Sequence, residues 1–204
     1  MRACVWAVIL NLSSVAGAFA EPRNNEVADP ALAAALVGQV AGDAIATIHD
    51  RRLDRTAAQA RLREQLGASF NLRYVGLLAL GPYRRDMSEA ELTAFEAAFG
   101  DYVLARYTAL LENPGATAFR IGGVERAGSR DALVHMIINS NTEAPVEADW
   151  RVRMFGGAPQ IIDISVSGLS VVARQSEEVG VWIKEAGVSG LIEHMRQVAK
   201  GDGG

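Results

Sequence analysis

The side chains of this chain that can do chemistry are few and scattered. Its three histidines, His49, His135 and His194, lie far apart, and none has a second histidine or a carboxylate at metal-ligand spacing on a defined helix face. His135, between Val134 and Met136, can act as a general base facing a cavity or as a solvated, hydrogen-bonded strand histidine. Asp163 is the one carboxylate inside an apolar run, Ile161-Ile162-Asp163-Ile164. In a pocket it can serve as an acid. On the outer face of a strand it can tie down a loop or helix end by charge-assisted hydrogen bonds. A strict two-residue period puts Ile162 and Ile164 on one side and Ile161 and Asp163 on the other, which favours the tethering role. There is no P-loop, dinucleotide fingerprint, nucleophile elbow or paired-histidine zinc motif, so no catalytic residue, metal or cofactor is expected.

The elements that must position these groups are legible in the periodicity. Asp29-Pro30 supplies a cap and a first-turn proline for a helix whose apolar positions are Leu32, Leu36, Val40, Ile45 and Ile48, with a small, neutral opposite face. The preceding residues 21–28 are polar and read as loose. Asp54 or Thr56 caps a second, Arg-rich helix with Leu62, Leu66 and Phe70 in a stripe. The apolar segment from Phe70 is closed by Gly81-Pro82. Ser88 and Glu91 have capping-box spacing and open the longest helix, whose apolar face is Leu92, Phe95, Phe99, Tyr102, Val103, Tyr107 and Leu110, ending at Asn113-Pro114-Gly115.

After Gly115 the period changes to two. Val146 to Met154 alternates apolar and charged residues, as a strand with one dry and one wet face does. Leu133–Ile138 and Ile161–Val166 read as further strands, and Thr117–Arg126 as a poorer one because Gly122-Gly123 interrupts it. The links are too short for helical crossovers, so the strands run antiparallel. Ser170 caps a helix through Ala186, and Gly187 breaks it before a last helix around Leu191, Ile192, Met195 and Val198. The expected fold is α+β: about four antiparallel, curved strands covered on one face by N-terminal and C-terminal helices, enclosing an apolar cavity.

The first twenty residues address the chain. Met1-Arg2, the apolar stretch Val5–Leu12 and the small-x-small Ala18-Phe19-Ala20 read as a secretory signal peptide over 1–20, leaving a single domain over 21–204. Asn11, Ser13 and Ser14 interrupt the apolar run, and no later segment reads as an anchor. Cys4, the only cysteine, lies in that leader, so the exported domain uses neither disulfides nor thiol chemistry. The formal charge of -4, made one unit more negative by loss of Arg2, argues against a nucleic-acid partner.

Three stretches carry a resemblance. Phe70 to Arg85 is similar to an F-x-x-x-x-hydrophobic pattern running into L-G-x-Y/W. The helix after Ser88 contains F-x-x-x-F and ends in Y-x-x-x-L at Tyr107 to Leu111, and Asp163 to Ser170 is similar to D-v-x-v-x-G-v-S. Over about residues 29 to 198 the chain thus resembles the soluble auxiliary lipid-binding proteins of the Mla-type transport system, the toluene-tolerance auxiliary family. Pro159 stands where that family usually has Trp, and Gln175, Ser176 and Val179 replace its usual tyrosine-arginine pair and aromatic. A related branch is associated with hopanoid synthesis.

The resemblance implies a periplasmic carrier of phospholipid, or alternatively of a hopanoid or its precursor. It would shuttle lipid between an outer-membrane lipid complex and an inner-membrane ABC transporter complex, as a monomer. A small cone-shaped enzyme using Asp163 or His135 is the competing class. For the carrier, Val75, Leu78, Phe99 and Val103 from the helices and Trp150, Val152, Ile162 and Ile164 from the sheet are the expected lipid-binding wall, with Arg84 and Arg85 as docking residues beside its mouth.

Overall fold

The computed structural model describes residues 26–110, 116–141 and 144–201. The leader, the stop at Asn113-Pro114-Gly115 and the side chains of Tyr107 and Leu110 lie outside the described residues.

Four helices precede the sheet: α1 (Pro30–Ile48), α2 (Arg55–Ser69), α3 (Leu72–Leu80) and, after a 3-10 turn over Gly81–Asp86, α4 (Glu89–Leu110). Their starts are built by the expected caps. Asp29 accepts from Ala31 N–H and Asp54 from Ala57 N–H, each at 2.8 Å. The Ser88 backbone N–H and hydroxyl both donate to Glu91, at 2.8 and 2.6 Å, and Glu91 N–H donates back to Ser88 Oγ at 3.3 Å. These bonds hold the Glu91 carboxyl below the usual glutamate range. Gly81, at φ 52°, takes the backbone conformation that ends α3.

The sheet is an open meander in the order β1 (Ala116–Ala127), β2 (Asp131–Ser140), β3 (Val146–Phe155), β4 (Ala158–Val166) and a two-residue β5 (Leu169–Ser170), every pair antiparallel. The Gly122-Gly123 interruption proves to be a bulge inside one continuous β1. Helix α5 (Val171–Lys200) starts on a Ser170 cap and kinks at Gly187, whose φ of 70° and ψ of 178° leave the helical region.

Two expectations are corrected. The buried face of α1 is Ala33, Val37, Val40, Ala41, Ala44 and Thr47, while Leu32 is 45% exposed. Small residues let the helix axis approach the sheet closely: a Cβ at Gly38 would sit 3.5 Å from Ile121. By length and composition α1 could cross a bilayer, but here its small-residue face covers the sheet. Residues 26–28 are also not loose, since Ala28 is buried, its N–H donates to Arg130 carbonyl at 2.9 Å, and Glu26 accepts from Gly157 N–H at 3.1 Å.

Coverage of the sheet is not confined to one face. Phe70 pairs in parallel with Ile161 on the free edge of β4, and Asn71 N–H donates to Ile161 carbonyl at 3.0 Å. There the chain passes from the α1 side, where Leu66 packs, to the opposite side, where Tyr74 of α3 meets Arg153 and Phe155.

Candidate functional site

The apolar side chains gather into two clusters. In the first, Val134, Met136, Ala148, Trp150, Val152, Met154 and Ile161 of the sheet pack on Ala33, Val37, Val40 and Ala41 of α1. The second is helical: Val75, Ala79 and Leu80 of α3, Phe95, Phe99 and Tyr102 of α4, and Val179, Leu191, Ile192 and Met195 of α5. The Phe95 and Phe99 rings stack 5.3 Å apart, and Gly76 gives them room, since a Cβ there would stand 3.1 Å from Phe99. Adjacent residues of α4 divide between the clusters: Val103 packs on the helical one and Leu104 on the sheet one. Phe70, Leu104 and Ile164, all half-buried, belong to the rim of the sheet cluster, and Leu104 stands next to Val103 of the helical one.

The eight expected wall residues therefore fall in three places. Trp150, Val152 and Ile164 belong to the sheet cluster or its rim, and Val75, Phe99 and Val103 to the helical cluster. Leu78 and Ile162 line a cleft on the opposite face of the sheet. The strict alternation assumed for β4 fails at a bulge: Val152 pairs with Ile161 and Arg151 with Asp163, leaving Ile162 as the extra residue. Ile161 and Ile164 consequently share the α1 side, and Ile162 joins Asp163 on the other.

That cleft, of about 330 Å³, is bounded by Tyr74, Leu78, Arg151, Arg153, Ile162, Asp163 and the first turns of α5. Its floor is ionic. Asp131, 2% exposed, accepts from Arg151 Nε at 2.6 Å and from Arg153 Nε at 2.5 Å and Arg153 Nη2 at 2.9 Å. Arg153 also donates to the Tyr74 hydroxyl and lies 5.0 Å from its ring centre. The Asp131 bonds raise the Arg153 pKa above its ordinary value. Sequence reasoning missed Asp131. The available signal was the pair Arg151 and Arg153 on one face of β3, which calls for a carboxylate on a neighbouring strand, here β2.

A second cleft, of about 380 Å³, opens between α4 and α5 at Arg106, Glu177, Glu178, Val181, Trp182 and His194. Trp182 stacks on His194 with ring centres 4.0 Å apart. Burial, then the nearby Arg106 guanidinium, lower the His194 pKa against an opposing pull from Glu178. Neither cleft is an enclosed apolar cavity able to hold two acyl chains.

The two candidate acid-base residues have structural duties. Asp163 accepts from Ser170 Oγ and from Val172 N–H, as the tethering role requires. His135 Nδ1 lies 2.7 Å from Asp149 and its Nε2 3.6 Å from Glu125, on a side chain 40% exposed. Among the described residues, no three His, Cys, Asp or Glu side chains group to hold a metal. Among the described residues, the buried side-chain atoms without a hydrogen-bond partner include Glu96 Oε1, whose carboxylate is held by Arg73 through its other oxygen, and the Trp150 Nε1 donor, on a residue only 8% exposed. An orphan donor of this kind costs about 1–3 kcal/mol.

An open antiparallel sheet with one helix on its inner face and a separate helical cluster beside it, together with a family match over residues 38–197, places the chain in the periplasmic lipid-carrier class. The chain belongs to the MlaC protein family, whose profile matches residues 38–197. Its fold is also that of the phospholipid-binding protein from Ralstonia solanacearum, solved in complex with a phospholipid. The TM-score is 0.71 at 20% identity, over 84% of this chain and 99% of that one.

Proposed function

We propose that this chain carries phospholipid through the periplasm, holding the acyl chains between its two apolar clusters. It would exchange its cargo with an outer-membrane lipid complex and an inner-membrane ABC transporter complex. The observation that carries the reading is the pairing of family membership with a divided core. Each acyl methylene taken out of water is worth about 0.8 kcal/mol, so a carrier must offer continuous apolar surface. Parting the clusters along Phe70, Leu104 and Ile164 supplies it: Trp150, Val152 and Ile164 then form one wall, and Val75, Phe99 and Val103 the other. Leu78 and Ile162 line the ionic cleft on the other face of the sheet.

The test is mass spectrometry of organic extracts from protein purified natively from the periplasm. Glycerophospholipid in stoichiometric amount is the expected result. A hopanoid in its place would change the cargo, and protein purified without lipid that also fails to take it up from vesicles would overturn the reading.

A further inference from the structure

Trp150 sits on the α1 side of β3, paired across the sheet with Val134 and Ile164, its ring 6.4 Å from that of Phe70. Its cross-strand partners Val134 and Ile164 and the Phe70 ring offer no side-chain acceptor, and the indole N–H is without a partner among the described residues. Phenylalanine would fill an apolar wall at this position without leaving a donor orphaned. An indole here is useful if the cargo brings an acceptor. A glycerophospholipid does so at one level, where the ester carbonyls join apolar chains to the polar glycerol. A hydrocarbon or polycyclic lipid brings none at the level of its apolar body.

We propose that the Trp150 indole N–H donates to an acyl-ester carbonyl of the bound lipid, and so makes this carrier selective for ester-linked over ether-linked or carbonyl-free lipids. The inference rests on the phospholipid reading given above. It assigns Trp150 a polar, depth-setting role in addition to an apolar one: the ester level is fixed at Trp150 and the chains run into the cluster beyond it. The seam residues Phe70 and Leu104 supply contact without selectivity.

The experiment is competitive loading of delipidated protein from vesicles containing equal amounts of diacyl and dialkyl phosphatidylglycerol with matched chains. Wild-type protein should favour the diacyl lipid about tenfold, the ratio that 1.4 kcal/mol of hydrogen bonding gives. Trp150→Phe should bring that ratio close to one while still taking up both lipids. A second measurement needs no substitution: with carbonyl-13C diacyl lipid, isotope-edited infrared spectra of the wild-type complex should show one ester band at lower frequency than in vesicles. Equal loading of both lipids by the wild type, an unshifted ester band, or a preference that survives Trp150→Phe would each overturn the proposal and leave the carrier reading intact. Failure to load either lipid would instead remove the carrier reading itself.

Discussion

The Asp163 carboxylate accepts from Ser170 Oγ at 2.6 Å, and its other oxygen accepts from Val172 N–H at 3.1 Å. Ser170 Oγ in turn accepts from Ala173 N–H at 3.0 Å. One carboxylate thus joins β4 to the first turn of the helix that forms one side of the helical cluster. Asp163→Ala should cost about 1–3 kcal/mol, the range of a lost cap and a hydrogen bond to a charged group. Ser170→Ala should cost about 1 kcal/mol, and the double variant less than the sum, because the two share one network. Urea unfolding of the four proteins measures the coupling.

Asp131 is the counter-charge for two arginines, of which Arg153 is mostly buried and Arg151 is nearly half exposed. Asp131→Leu leaves the Arg153 guanidinium buried and uncompensated, at an expected cost of about 3–5 kcal/mol. Adding Arg153→Met should recover a large part of that loss in thermal or urea unfolding. A double variant no more stable than Asp131→Leu would show that the cluster does more than balance charge.

Stability should fall on mild acidification through His194. Its folded pKa lies below the unfolded value of about 6.5, so between the two the unfolded chain binds more protons. The contribution is fully present above the unfolded pKa and is lost as pH falls through the folded one. The groups facing His194 are Tyr102, Trp182, Arg106 and Glu178. Melting temperatures taken from pH 7.5 down to 5 should drop less for His194→Gln than for the wild type.

Much of the fold could be read along the chain because capping and strand alternation are local signals. Asp29-Pro30, Ser88 with Glu91, the wet and dry faces of β3 and the break at Gly187 all appear in the structure where their chemistry places them. What could not be read depends on distant partners. The stripe Leu32, Leu36, Val40, Ile45 and Ile48 is the more hydrophobic side of α1, yet closeness to the sheet selects Ala33, Val37 and Ala41. Periodicity in α4 marks Phe99 as buried without saying whether the sheet or α3 and α5 bury it. Ile162 takes the opposite face from Ile164 because a one-residue bulge in β4 breaks the strict alternation that the sequence suggests.

The divided core separates two kinds of overpacking. Val152 is fully buried between Ala132 and Ile161 in the sheet ladders, so Val152→Trp should cost about 1–3 kcal/mol of stability along with lipid loading. Leu104 is half-buried at the seam, and Leu104→Trp should lower lipid per folded protein with a smaller change in melting temperature. Loading and unfolding measured on the same preparations check the contrast.

Arg84 and Arg85 are exposed on the 3-10 turn after α3. If they guide docking, reversing both charges should slow transfer to acceptor membranes or the transporter complex without emptying the protein. The wild-type rate should fall with salt as exposed charges are screened. Rates insensitive to both changes would place docking elsewhere.

The claim that lipid enters between the two clusters is tested most directly by photo-crosslinking at the seam. A benzophenone amino acid replaces Phe70, which rims the sheet cluster, or Leu32, which is exposed on the outer side of α1. After irradiation in cells grown with radiolabelled phosphate, the protein substituted at Phe70 should carry a covalent phospholipid label and the one substituted at Leu32 should not. Labelling at Leu32 with none at Phe70 would contradict the account.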